Sequence, residues 1–145
     1  MKKLYYFLSF LLVVSVFLFS SCSKDFLKSY DRRIIGSWTI TDVNRTGLGG
    51  STGDLPFKDG TFSFSSDGSL SYTDGAGTNY TGTWNIQKKN YNDQTYQSLE
   101  IQVVNFTTQQ MRSEYYDDID FTSTGHFKAR INQGLHSYVT HYRKR

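Results

Sequence analysis

From Ile34 onward the chain alternates between apolar and polar residues with a period of two, and this pattern limits what it can fold into more than any other feature. Ile34, Gly36, Trp38 and Ile40 fall on one side of an extended segment, with Ser37, Thr39 and Thr41 on the other. Successive side chains of a strand point to opposite faces, so such a segment buries one face and wets the other. Phe62 and Phe64, then Leu70 and Tyr72, repeat the pattern around Asp67-Gly68, a turn signal for a hairpin. Tyr80, Gly82, Trp84 and Ile86 form the next run; Leu99, Ile101 and Val103 a fifth strand; residues 108–116 a sixth; Phe127, Ala129 and Ile131 a seventh; residues 137–143 an eighth. No stretch after Cys22 shows the sustained three-to-four residue spacing of an amphipathic helix. With 12 glycines and one proline in the whole chain, strands joined by tight turns are expected. The expected fold is all-β, an antiparallel up-and-down meander of about eight strands.

Three segments read as connections. Residues 46–56, with four glycines and the proline, form a long loop; residues 74–79 are a Gly-rich turn; residues 88–95 are polar and turn-like. An internal echo ties two strands together. Gly36-Ser37-Trp38-Thr39-Ile40 and Gly82-Thr83-Trp84-Asn85-Ile86 share the form Gly-[Ser/Thr]-Trp-x-Ile, with Gly, Trp and Ile on one face. The glycine allows close approach of a neighbour, and the indole fills the space beside it.

The first 22 residues carry a different message. Lys2 and Lys3 precede an apolar run from Leu4 to Phe19, followed by Ser20-Ser21 and the chain's only cysteine, Cys22. A basic start, an apolar stretch and small residues at the cut describe an export signal. An uncleaved membrane anchor is the rival, since a spanning helix needs about 17 or more apolar residues. Cys22, standing directly after two serines, favours cleavage and lipidation. Residues 1–21 are therefore expected to be a lipoprotein signal peptide, residues 22–33 the lipidated cysteine and a polar tether, and residues 34–145 one domain. A lone cysteine gives the exported domain no internal disulfide. Ser23, with no Asp after the cysteine, points to the outer membrane, periplasmic or surface-facing.

Removing the leader takes away Lys2 and Lys3 and no acid, which lowers the formal charge from +3 to +1. Nucleic acid is an unexpected partner for so nearly neutral a chain, because phosphate binding needs a concentrated positive face. The membrane, through the N-terminal lipid, is the expected partner.

The run Ile35-Gly36-Ser37-Trp38-Thr39-Ile40 resembles the Gly-x-Trp first-strand motif of lipocalins. The Phe62-x-Phe64-x-x-Asp67-Gly68 hairpin and Gly82-Thr83-Trp84-x-Ile86 are similar to small lipocalin-like bacterial lipoproteins. The resemblance implies closure of the meander into a small barrel, a related open sandwich being the alternative. It also implies packing of Trp38 at a barrel end beneath a cation from the last strand, Arg143 or Arg145, with Trp84 at a second corner. For function it implies a small apolar ligand in the barrel mouth, lined by Phe62, Phe64, Tyr72, Tyr80, Tyr96, Phe127 and Tyr138.

Catalytic and metal chemistry find little support. Asp117, Asp118 and Asp120 lack the spacing of a calcium loop and read as an exposed turn. His126, His136 and His141 do not fall at zinc-ligand spacing, and no Gly-x-Ser-x-Gly elbow is present. No cofactor, no metal and no enzymatic activity are expected. The alternative to a small-ligand barrel is an envelope protein acting on a protein partner through its exposed loops, residues 46–59 and 90–95.

Overall fold

The computed structural model describes residues 28–145, and the leader and Cys22 lie outside the described residues. A five-residue helix, α1 (Tyr30–Ile34), leads into nine strands: β1 (Gly36–Gly47), β2 (Thr61–Phe64), β3 (Ser69–Thr73), β4 (Asn79–Tyr91), β5 (Gln94–Asn105), β6 (Gln110–Tyr116), β7 (Asp118–Ser123), β8 (His126–Gln133) and β9 (His136–Lys144). The strands form one antiparallel sheet in the order β6-β5-β4-β3-β2-β1-β9-β8-β7. Every pairing joins chain neighbours except that of β1 with β9. The fold is thus an all-β meander whose first and last strands meet in its middle. The hydrogen-bonded ladder is not closed, because β6 and β7 are its two edges.

These edges are consecutive in the chain, separated by Asp117 alone. The Asp117 amide donates to the Arg130 carbonyl at 2.8 Å, and its carboxylate accepts from the Asn132 amide at 2.7 Å. Both contacts hold the bend to β8, so the chain leaves β5 at Tyr116 and joins β8 at Asp118. The acidic run is therefore a strand junction, and not the exposed turn expected from the sequence. Ile119 and Phe121 alternate with acids in β7 and are buried.

Each strand sends its alternate residues inward. Trp38, Phe62, Leu70, Tyr72, Tyr80, Ile101, Phe127 and Tyr142 are among the buried set, and they form one cluster. Phe127 stacks on Tyr142 with centroids 4.3 Å apart, and Phe62 on Tyr72 at 4.5 Å. Both ends of this cluster are covered. At one end α1 inserts Ile34, fully buried, and at the other the β1–β2 connection inserts Leu55 and Phe57. The segment read as tether thus ends in a structural turn of helix, and the domain begins at Tyr30 or before.

Two turns differ from expectation in instructive ways. The β2–β3 connection is four residues, not two: Gly68 N–H donates to Ser65 O, Ser65 N–H to Ser69 O, and Gly68 adopts φ +83°. Asp67 sits one place earlier and accepts from the Ser69 amide and hydroxyl. Residues 88–95, expected as a polar loop, extend β4 and β5 into a long hairpin. Its two-residue turn uses Asn92 and Asp93, both at positive φ, as such turns require.

Gly82 has the strictest requirement. A Cβ there would stand 1.9 Å from the Gln102 carbonyl oxygen of β5. Gly82→Ala is expected to destabilise the domain by about 1–3 kcal/mol, the range for forcing packed groups apart. Gly125→Ala, where nothing lies within 4 Å, is expected to be close to neutral. Urea unfolding of the two variants checks the difference.

Candidate functional site

Trp38 occupies the end covered by α1. Its indole N–H donates to the Ile34 carbonyl at 2.6 Å, fastening the helix to the first strand. Phe127 and Phe121 meet the ring edge-on at 4.8 and 6.0 Å. The cation above it is Lys144, with Nζ 5.3 Å from the ring, and neither of the arginines expected there. Strand alternation gives the reason. Tyr142 points inward, so Lys144 shares its side, while Arg143 and Arg145 face outward; Arg145 Nε donates to Thr39 Oγ1 at 2.8 Å. Trp84 is half-buried, meets Phe64 edge-on, and donates to the Ser65 carbonyl at 3.1 Å. The two tryptophans of the repeated motif therefore have unequal surroundings.

Six of the rings named as ligand-lining face the interior together, but packed against one another. Phe62, Phe64, Tyr72, Tyr80, Phe127 and Tyr138 are each at most 2% exposed. Their surfaces are taken up by contact with neighbouring side chains, so the rings leave no water-sized chamber among themselves. Tyr96 lies apart, half-buried near the β4–β5 tip. Their hydroxyls reach the margins: Tyr72 donates to Asp59 O, and Tyr80 to Gln110 Oε1. Deeper inside, the Tyr116 and Tyr142 hydroxyls share a hydrogen bond of 2.9 Å, with the buried Thr140 hydroxyl beside Tyr116.

One strand departs from the apolar lining, a feature the sequence pattern did not announce. On β6 the inward positions before Tyr116 are Arg112 and Glu114. Arg112 lies over the Tyr80 ring at 4.5 Å and pairs with Asp74 at 3.2 Å. Hydrogen bonds from the Thr78 and Ala76 amides, with Arg112 adding to them, hold the Asp74 carboxyl below its ordinary range. Glu114 is shifted the other way, its carboxyl raised by burial and by Asp117.

Open clefts occur at the two loops named from the sequence. Beside the β4–β5 tip a cleft of about 440 Å³ is lined by Tyr91, Tyr96, Asp117, Asp118, Arg130 and Asn132. Under the β1–β2 connection a second, of about 380 Å³, is lined by Leu55, Pro56, Asp59, Asp74, Gln110 and Arg112. The first lies at the junction between the sheet edges, where Asp118 Oδ1 accepts from the Gln97 amide. Exposed apolar groups mark the same loops: Tyr91 at the tip, and Leu48 beside Leu135, joined by a backbone hydrogen bond. Among the described residues, no three His, Cys, Asp or Glu side chains gather as a metal site would require. No protein-family model, curated protein or solved structure matches this chain.

The interior tyrosines predict an alkaline limit. Burial pushes the Tyr72 phenol up to about 12, and it raises Tyr116 and Tyr142 as well. Below pH 10 these phenols are protonated in both folded and unfolded chains, so stability is fully present. Between pH 10 and 12 the unfolded chain ionises first, and stability falls. Tyrosinate absorbance during an alkaline titration is expected to rise in two stages, the second coinciding with loss of near-ultraviolet circular dichroism. For Glu114 the raised carboxyl means stability present in acid and lost as pH rises through its folded pKa. Glu114→Gln is expected to raise the urea midpoint at neutral pH and to leave it unchanged in acid.

Proposed function

We propose that this chain is a lipid-anchored lipoprotein of the outer membrane, a lipocalin-like barrel with a filled interior that binds its partner on the outside. The closed barrel is our reading of the meander: Asp117 joins the two free edges covalently, and the bend there completes the circle through the chain itself. Lipid on Cys22 would hold the domain at the membrane and leave the β1–β2 connection, at the far end from α1, turned away from it.

One observation carries the external reading. The six candidate lining rings are closed against each other, while the clefts border the β1–β2 connection and the β4–β5 tip. Loops on a rigid scaffold are the usual place for binding residues. An exposed tyrosine beside carboxylates and an arginine suits a protein surface better than an apolar small molecule. A small apolar ligand in the barrel mouth would need Leu55 and Phe57 to withdraw first. No catalytic step is assigned.

Mass spectrometry of the protein extracted from envelopes is expected to show Cys22 as the N-terminal, acylated residue. Pull-down with that lipidated protein is expected to recover a protein partner in stoichiometric amount, and Tyr91→Ala is expected to weaken the complex about five-fold or more, as for an interface anchor. Native mass spectra retaining a small apolar molecule instead would overturn the external reading in favour of the barrel mouth.

A further inference from the structure

The domain is nearly neutral as a whole, yet its basic side chains are not evenly spread. Lys28, Arg32, Arg33 and Lys144 converge around one small cleft with Thr124 at the α1 end. Arg143 and Arg145 flank it: Arg143 lies opposite His126 and Thr39, and the Arg145 amide donates to the Ser37 carbonyl. The acids facing this end include Asp31 on α1, Asp67 on the β2–β3 turn, and Asp118 and Asp120 on β7, the last two both acting on Tyr30 of α1. Asp67 is engaged by Ser69, and Asp120 is paired with Lys128 at 3.5 Å. A surplus of positive charge therefore sits at this end.

It is also the end from which the chain leads back to Cys22. Five residues lie between Cys22 and Lys28, six steps of chain with a reach of at most about 20 Å fully extended. A domain moored at Cys22 can thus bring Arg32, Arg33 and Lys144 down to the headgroup layer, where charge interactions survive screening over about 8 Å.

We propose that the α1 end is a docking surface for anionic phospholipid headgroups, which fixes the domain upright on the bilayer with the β1–β2 connection facing away. The lipid supplies attachment and the cations supply orientation. Lys144 and Arg33 suit this role because their stems are already ordered, one over Trp38 and the other 4.3 Å over Phe121. Little side-chain freedom remains to be lost on docking. The orientation in the cell rests on the lipidation reading, whereas the affinity of this face for lipid does not.

The test uses the chain from Cys22 onward with Cys22→Ser, so that no acyl chain contributes. Co-sedimentation with phosphatidylcholine vesicles is compared with vesicles that also contain phosphatidylglycerol. Binding to the second alone, abolished by high salt, is expected. Arg32→Gln with Lys144→Gln is expected to lower the partition coefficient about 25-fold, on the basis of about five-fold per cation at a membrane surface. Arg45→Gln with Lys58→Gln removes the same net charge at the opposite end and is expected to leave binding unchanged. Near-ultraviolet circular dichroism checks that both doubles are folded; if the first is not, Arg143→Gln with Arg145→Gln takes its place with the same expected loss. Equal losses in the two ends, or equal binding to both vesicle types, would overturn the proposal. So would competition by millimolar glycerophosphate, which would mark a discrete anion pocket in place of a lipid-facing surface. Because the assay omits acylation, its failure is distinguishable from finding Cys22 unmodified in envelopes.

Discussion

The domain depends on filling the inside of a curled sheet with rings. Trp38 is where this requirement begins: its indole is enclosed by Phe121, Phe127 and Lys144 and is tied to Ile34 of the helix that covers that end. From there the contacts run through Phe127, Tyr142 and Phe62 to Tyr72, and they end at Phe57 of the opposite covering segment. Aromatic side chains bury much area each and prefer stacked or edge-on contacts, so a line of them sets both the width of the fold and its register. The same filling decides where function can lie. With the core closed along its length, the open clefts lie outside it, beside the loops.

Much of this was legible in the sequence because strand alternation is a direct consequence of backbone geometry. The inward positions of β1 up to Ile40, of β2 to β5 and of β8 follow from the period of two, whereas a bulge after Ile40 shifts the rest of β1. The misreadings share one cause, polar residues in places where the chain is nevertheless ordered. Residues 88–95 lack apolar alternation because the hairpin there projects beyond the core and is wet on both faces. Asp117, Asp118 and Asp120 hide β7 because its buried partners, Ile119 and Phe121, are only two residues long as a pattern. The Asn92-Asp93 turn lacks the glycine that would have announced it. Helix α1 is too short for any periodicity, and its place in the domain shows only in the structure, through the burial of Ile34 and the Trp38 N–H bond to the Ile34 carbonyl.

The site residues divide in the same way. That a cation would lie over Trp38 came from a resemblance, but which cation is decided by parity within β9: Tyr142 faces in, so Lys144 does too. Six of the seven rings lie on the inner face as alternation implies, Tyr96 being the exception at the β4–β5 tip, whereas their close packing could not be seen, because alternation tells direction and not distance. The inward Arg112 and Glu114 gave no signal, since a charged residue at an inner position reads as a break in the pattern. In the structure each has a reason: Arg112 lies over Tyr80 and pairs with Asp74, and Glu114 stands where burial is incomplete.

That polar strip on β6 sits next to the sheet junction, and the coincidence has a physical logic. A ladder that ends at β6 and resumes at β7 leaves backbone edges without strand partners, and side-chain carboxylates take their place: Asp117 accepts from the Asn132 amide and Asp118 from the Gln97 amide. Such bonds to ionised groups are stronger than neutral ones but hold fewer positions than a continuous ladder. The junction is therefore a place where side-chain bonds stand in for the backbone ladder. It also borders the cleft carrying Tyr91 and Tyr96. Under the external reading proposed above, a partner seated there would supply hydrogen bonds that the interrupted ladder does not.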